Sequence, residues 1–284
     1  MLRKIVQKIV EMFSMEDVAR FICYLSRTSG VELLPLAYRE IGILKYRNYD
    51  ESGETFLLKE VISGKLGLGG SSVIFDVGAN TGKYTCLVKG LLKGASIYAF
   101  EPNKSAFSTL VDMSSDKIRC FNLGFGDTTS KGKMFTYKDS LNSSHASAYP
   151  DMFKHFYKNE DVAFFEFDID TIDNFCEKND IAMIDFLKID TEGNELNVIV
   201  GAKRMIDDGR ISALQFEFGE CDIFSRVFLK DFYDALTAYN LYRLDSDRLI
   251  SLGGYSVDNE IFRYQNVFAI KKELDTLPER CFLK

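Results

Sequence analysis

From Ser71 onward, short β-rich apolar runs alternate with helical segments, and this alternation predicts an α/β fold with a mostly parallel sheet flanked by helices. Two further observations agree. The first run, Val73–Val77, ends in the small-residue turn Gly78-Ala79-Asn80-Thr81-Gly82 and leads into a helix from about Lys83. The second, residues 97–100, ends in Glu101-Pro102, which puts a carboxylate beside that turn at the C-terminal edge of the sheet. The chain has 284 residues, enough for one to two domains and a sizeable core.

Residues 1–70 read as an N-terminal helical extension, broken at Ser29-Gly30, Pro35, Ser52-Gly53 and the glycine-rich stretch up to Gly70. Leu2, Ile5, Val6, Ile9, Val10 and Phe13 recur at helical spacing, with Lys4 and Lys8 on the other side. Such a stripe either docks on the protein's own core or a second copy, giving a homo-oligomer, or makes peripheral membrane contact through residues 1–13. Charges interrupt it, so neither a secretory h-region nor a transmembrane run of about 20 residues is present, and a cytoplasmic location is expected.

Residues 71–272 then form the sheet domain. Its strands are expected at Val73–Val77, 97–100, Ile118–Phe121, Ile184–Ile189 and 213–218, with antiparallel edge strands near 241–244 and 266–270, seven in all. A further strand-like run, 162–169, precedes a helix opening at Thr171. The polar stretches 63–72 and 139–148 read as loops, the second long enough for a lid, and 273–284 is a C-terminal tail.

Composition narrows the function classes. Apolar residues make up 46% and charged residues 27%, as in soluble globular proteins. The 42 acidic against 35 basic residues give a net charge of −7, which argues against a nucleic-acid partner held by its phosphates. Cysteines at 23, 86, 120, 176, 221 and 281 form no C-x-x-C pair, so neither a zinc ribbon nor a disulfide scaffold is indicated. Two histidines, His145 and His155, exclude H-E-x-x-H chemistry, and there is no G-x-S-x-G elbow.

The turn Gly78 to Gly82 lets a ligand approach the backbone next to a helix N-terminus. It is not a P-loop, since three residues rather than four separate the glycines and Tyr84 stands where Ser or Thr would bind magnesium. Nor is it the dinucleotide G-x-G-x-x-G, because Asn80 replaces the second glycine, which weighs against an NAD-dependent oxidoreductase. Glu101 is placed to accept both hydroxyls of a ribose, its alternative being a surface loop cap. A phosphate-poor adenosine cofactor fits, S-adenosylmethionine first, whose cationic sulfonium tolerates an acidic pocket to which Asp76 contributes.

Asp76-Val-Gly-Ala-Asn-Thr-Gly82, Phe100-Glu-Pro102, Asn122-Leu-Gly-Phe-Gly-Asp127, Asp185-Phe-Leu-Lys-Ile-Asp190-Thr-Glu192-Gly-Asn-Glu195, Gly201-Ala202 and Gln215-Phe-Glu217-Phe resemble the FkbM family of S-adenosylmethionine-dependent methyltransferases. The resemblance covers about residues 73–218. It implies the class I methyltransferase fold, a Rossmann-like seven-stranded sheet, and O-methylation of hydroxyls on sugars, glycan precursors and natural-product scaffolds. It also implies cofactor contacts from Asp76, Gly78, Asn80, Gly82 and Glu101, with Asn122 and Asp127 on the adenine side.

Methyl transfer needs donor and acceptor in line and a group to take the acceptor's proton. Asp190 ends the fourth strand at the edge that carries Gly78 and Glu101, which makes it the first base candidate, with Glu192 beside it. Glu195 and Glu217 stand to converge there, where clustered carboxylates serve either to raise one pKa or to bind a divalent cation. With no histidine nearby in sequence, no metal is expected. The alternative for Asp190 and Glu195 is helix capping. His145, in the polar loop Asn142-Ser-Ser-His-Ala-Ser147, is a third catalytic candidate facing substrate or else a solvated loop residue. A different reading of the whole chain is a non-catalytic adenosine-ligand-binding or scaffold module of the same fold.

Overall fold

The computed structural model describes residues 12–137 and 162–277, so His145, His155, the start of the amphipathic stripe, the loop 139–148 and the end of the tail lie outside the described residues. Two compact units divide between Ile41 and Gly42. The first holds helices Met15–Ser29 and Leu33–Glu40. Ser14 caps the former by accepting from the Asp17 N–H at 3.1 Å, and Gly30 ends it at φ +73°. Among the described residues no helix is long and apolar enough to cross a membrane.

The second unit begins at Gly42, so residues 42–70, which the sequence groups with the extension, belong to it. Leu57, Leu58, Val61 and Ile62 on the π-helical turn Leu57–Ser63 are buried and pack with Ile74, Phe186, Ala213 and Phe268 of the sheet. That packing, rather than the glycine-rich break, decides where the segment belongs.

Eleven strands are described: β1 Val73–Val77, β2 Ser96–Phe100, β3 Ile118–Phe121, β4 Gly124–Phe125, β5 Ser130–Tyr137, β6 Val162–Asp170, β7 Ile184–Ile189, β8 Ile211–Phe218, β9 Tyr239–Asp245, β10 Arg248–Ser251 and β11 Gln265–Lys271. The main sheet runs β10-β9-β11-β8-β7-β1-β2-β3. Pairing is parallel from β3 through β8, and β11 joins antiparallel to β8 and β9. The seven expected strands are all present. β10, an eighth, adds as a hairpin on the outer edge of β9 and is too short and polar to stand out in the sequence. The run expected at 162–169 is β6, in a separate three-stranded sheet with β5 antiparallel and β4 parallel. Thr171 follows it and caps helix Ile172–Lys178 through the Asn174 N–H.

Residues of the parallel strands alternate between two apolar layers. One layer is an aromatic cluster in which the Phe100 ring lies 5.1 Å from Phe75, 4.7 Å from Phe125 and 4.9 Å from Phe175. Strand order reverses between β1 and β7, and both strands end at that crevice, where open α/β sheets bind ligands. Phe100→Ala is expected to destabilise the fold by about 3–5 kcal/mol, the cost of emptying a buried aromatic site. Urea unfolding checks it, and a loss under about 1 kcal/mol would remove the cluster from its place in the core.

Candidate active site

The turn after β1 folds back over the end of β2, with the N–H groups of Gly78 and Ala79 both donating to the Phe100 carbonyl at 3.0 and 2.9 Å. Gly78 sits at φ +82°, and a Cβ there would stand 1.7 Å from the Asp190 carbonyl oxygen. Only glycine lets the end of β1 lie this close to the end of β7. Asn80, at φ +50°, aims its N–H at Glu101 Oε2, 2.8 Å away, and the Asn103 N–H reaches Oε1 at 2.7 Å. Burial pushes the Glu101 carboxyl up to about 7 against the pull of those two donors. Each of its oxygens keeps a lone pair for a ligand hydroxyl.

On the other side of the turn lies a buried cation. Lys188, 4% exposed on β7, donates to Asp190 Oδ2 at 2.7 Å, stands 4.0 Å from Asp76 Oδ1, and has its Nζ 4.7 Å from the centre of the Tyr84 ring. Burial alone would lower its pKa, but Asp190, Asp76 and Glu54 together hold it above the ordinary lysine value. Asp76 is fully buried. Its Oδ2 accepts from Thr85 Oγ1 at 2.6 Å, and its Oδ1 accepts no hydrogen bond among the described residues. It therefore lies behind Lys188 rather than on a ligand-facing wall.

After β7 the chain turns sharply, with Glu192 at φ +55° and Gly193 at φ +100°. Glu195 reaches back under this turn to accept from the Thr191 N–H at 2.6 Å and the Gly193 N–H at 2.9 Å, the capping alternative. Burial, with Asp190 and Glu195 nearby, pushes half-buried Glu192 up to about 8. Burial also raises Glu195 to about 7 and Glu217 well above the ordinary carboxylate range. Cys221 Sγ approaches Glu192 Oε2 at 3.6 Å. Among the described residues no three His, Cys, Asp or Glu side chains form a group able to hold a metal ion.

A cavity of about 540 Å³ opens over these groups, within the range of small-molecule sites. Gly78, Asn80, Glu101, Asp190 and Glu192 line it, as the sequence suggests. Other candidates take other places. Gly82, at φ +83°, begins helix Lys83–Leu91 without a side-chain cap and packs on Leu110 and Met113. The Asn122 amide donates to the carbonyls of Glu101 and Pro102 at 2.8 and 3.0 Å, so it braces the loop. Asp127 is exposed, accepts from Thr128 Oγ1 at 3.3 Å and lines neither this cavity nor its apolar neighbour. His145 lies outside the described residues. Sequence reasoning missed Tyr49, Tyr84, Met134 and Lys188 on the wall. Lys188 carried a signal, a lysine inside the buried run 186–189 at the strand end that leads to Asp190, whereas Tyr49 carried none.

An adjoining apolar cavity of about 180 Å³, lined by Pro102, Phe125, Met134, Phe167 and Ile169, opens beside the same turn. The side-chain-free approach at Gly78, the Glu101 carboxyl fed by two backbone N–H groups and this apolar slot together fit an adenosine-bearing sulfonium cofactor.

Strand order and the placement of the glycine turn define the class I methyltransferase fold. The family model for the methyltransferase FkbM domain matches residues 76–240, more than half the chain, and the protein belongs to the FkbM methyltransferase family. S-adenosylmethionine is the cofactor that goes with this family and fold. Among solved structures, the chain is similar to a methyltransferase FkbM from Methylobacillus flagellatus KT, at 18% identity and TM-score 0.47, over 83% of this chain and 50% of that one. The chain thus spans half the length of that protein. It is also similar to Aeropyrum pernix fibrillarin in complex with natively bound S-adenosyl-L-methionine, at 12% identity and TM-score 0.39, over 76% of this chain and 73% of that one. A third is the precorrin-6y C5,15-methyltransferase from Geobacter metallireducens, at 11% identity and TM-score 0.38, over 74% and 86% respectively. No curated protein matches the chain significantly.

Gly78→Ala is expected to abolish binding of S-adenosylhomocysteine in calorimetry and to lower Tm, because the new Cβ meets a backbone carbonyl that has no room to yield. Undiminished binding would show the turn to be adaptable. The raised carboxyls also fix a pH trend. Glu101 near 7 and Glu192 near 8 hold protons in the folded state that the unfolded chain has already lost, so stability falls as pH rises from about 5 to about 8. A Tm series over that range should decline, and Glu192→Gln should flatten its upper part; a rising Tm would contradict the assignment.

Proposed function

We propose that the protein transfers the methyl group of S-adenosylmethionine to a hydroxyl of a sugar, glycan precursor or related natural-product substrate. The observation that carries this reading is that Glu101 and Asp190, carboxylates in different settings, stand on the wall of one cavity on either side of the Gly78 turn. Bound there, the cofactor supplies an electrophilic methyl group. Glu101 accepts the ribose hydroxyls, Gly78 and Asn80 let the ligand lie against the backbone, and the apolar slot by Phe125 and Phe167 takes the base. Asn122 acts indirectly by holding the Glu101-Pro102 loop.

Lys188 fixes Asp190 by donating to its Oδ2 at 2.7 Å. A free lone pair of Asp190 receives the acceptor's hydroxyl hydrogen and takes the proton as the new bond to oxygen forms. Glu192, protonated at neutral pH, donates a hydrogen bond that orders the acceptor. A neutral polyhydroxylated acceptor suits this wall because its hydroxyls can pair with Asp190 and Glu192 and it brings no further acidic group toward them. His145 enters the same proposal as a catalytic candidate, on the resemblance of its serine-rich stretch to that of the family.

Calorimetric titration with S-adenosylmethionine and S-adenosylhomocysteine, with NADH and ATP as controls, tests the cofactor site. Selective micromolar binding of the two sulfur ligands is expected, and preference for NADH would overturn the reading. Glu101→Ala should weaken that binding about tenfold or more, the loss of charge-assisted hydrogen bonds to the ribose. Asp190→Asn should lower kcat about 100-fold or more on a responsive hydroxyl acceptor while leaving cofactor affinity within about threefold. Cofactor binding with no turnover on any hydroxyl pool is what a non-catalytic ligand-binding module would give.

A further inference from the structure

Glu54 is a buried carboxylate that the proposed chemistry does not use. It is 5% exposed and stands in the segment before the family-matched residues 76–240. Its Oε2 accepts from Ser52 Oγ at 2.7 Å and its Oε1 from Gln215 Nε2 at 3.0 Å. Gln215 Oε1 accepts the Tyr84 hydroxyl at 3.3 Å, and the Tyr84 ring faces the Lys188 ammonium. A continuous path therefore runs from Glu54 through Gln215 and Tyr84 to the cation that grips Asp190. The same segment supplies Tyr49, which lines the cavity and meets Tyr84 edge-on at 5.7 Å.

Burial pushes the Glu54 carboxyl above its ordinary value, and Lys188 is the first influence that opposes the rise. The ammonium itself donates to Asp190, stands 4.0 Å from Asp76 and is faced by the Tyr84 ring, whose hydroxyl is tied to Gln215 and so to Glu54. We propose that Glu54 is a positioning residue of the active site, holding Lys188 against Asp190 through Gln215 and Tyr84. The meaning of that role for catalysis rests on the methyltransferase reading; the geometry itself does not. It makes residues 42–63 part of the catalytic unit although they lie outside the matched family region.

The test is proton exchange at the Lys188 ammonium, read by lysine-selective nitrogen-15 NMR on the full chain, with the resonance assigned by its loss in Lys188→Arg. A gripped ammonium exchanges slowly. Glu54→Gln keeps the shape but leaves one acceptor oxygen for the two donors Ser52 and Gln215, and is expected to speed exchange about tenfold or more in a protein that remains folded. A purely structural Glu54 would lower Tm and leave that rate where it was. Wild-type exchange in folded Glu54→Gln protein overturns the proposal. If that variant does not fold, Tyr84→Phe decides instead, since it keeps the ring over the ammonium and cuts the link to Gln215. Faster exchange there supports the path, and unchanged exchange overturns it. Titration of the wild type with S-adenosylhomocysteine scores the methyltransferase reading separately, because failure to bind leaves the exchange result standing.

Discussion

The buried ammonium of Lys188 is the constraint around which the site is arranged. A charge sealed inside β7 must be answered by opposite charges and oriented dipoles, and here Asp190, Asp76, Glu54 and the face of Tyr84 answer it. Those partners come from β1, β7, the helix after the glycine turn and the segment before β1. Satisfying one cation therefore ties four separate stretches of chain to the crevice between β1 and β7.

The same constraint gives the carboxylates of the site different characters. Asp190 faces a cation, Lys188. Glu192, two residues on, faces other carboxylates and low-dielectric surroundings, which favour its protonated form. Glu101, across the turn, is shielded from water but fed by two backbone N–H groups, so it lies between these extremes. In the proposed reaction, aspartate and glutamate side chains thereby serve as proton acceptor, proton donor and hydroxyl acceptor within one cavity.

Much of this was legible in the chain itself. The β-rich runs, the glycine turn and the carboxylates at the strand ends follow from periodicity and local chemistry, because a parallel strand buried on both faces is mostly apolar and a turn at positive φ favours glycine or asparagine. The placement of Glu101, Asp190 and Glu192 at one edge follows from parallel strand direction alone. What escaped were Tyr49 and Glu54, whose relation to Lys188 spans more than 130 residues and leaves no local pattern. Asn122 and Asp127 escaped differently. Asn122 follows β3 at the expected sheet edge and Asp127 follows β4 of the smaller sheet, and the direction of a side chain in a loop depends on which carbonyls or hydroxyls it meets there.

By itself, then, the sequence determined the α/β class, the strands and their direction, the glycine turn and the two acidic strand ends, since each depends on neighbours within a few residues. Only the tertiary structure decided that the segment from Gly42 joins the sheet domain, that β10 extends it, that Asp76 stands behind the wall and that Lys188 lies between Asp190 and Asp76. Those outcomes depend on which charges and apolar surfaces meet across long stretches of chain, and Coulomb attraction and burial act through space rather than along the sequence.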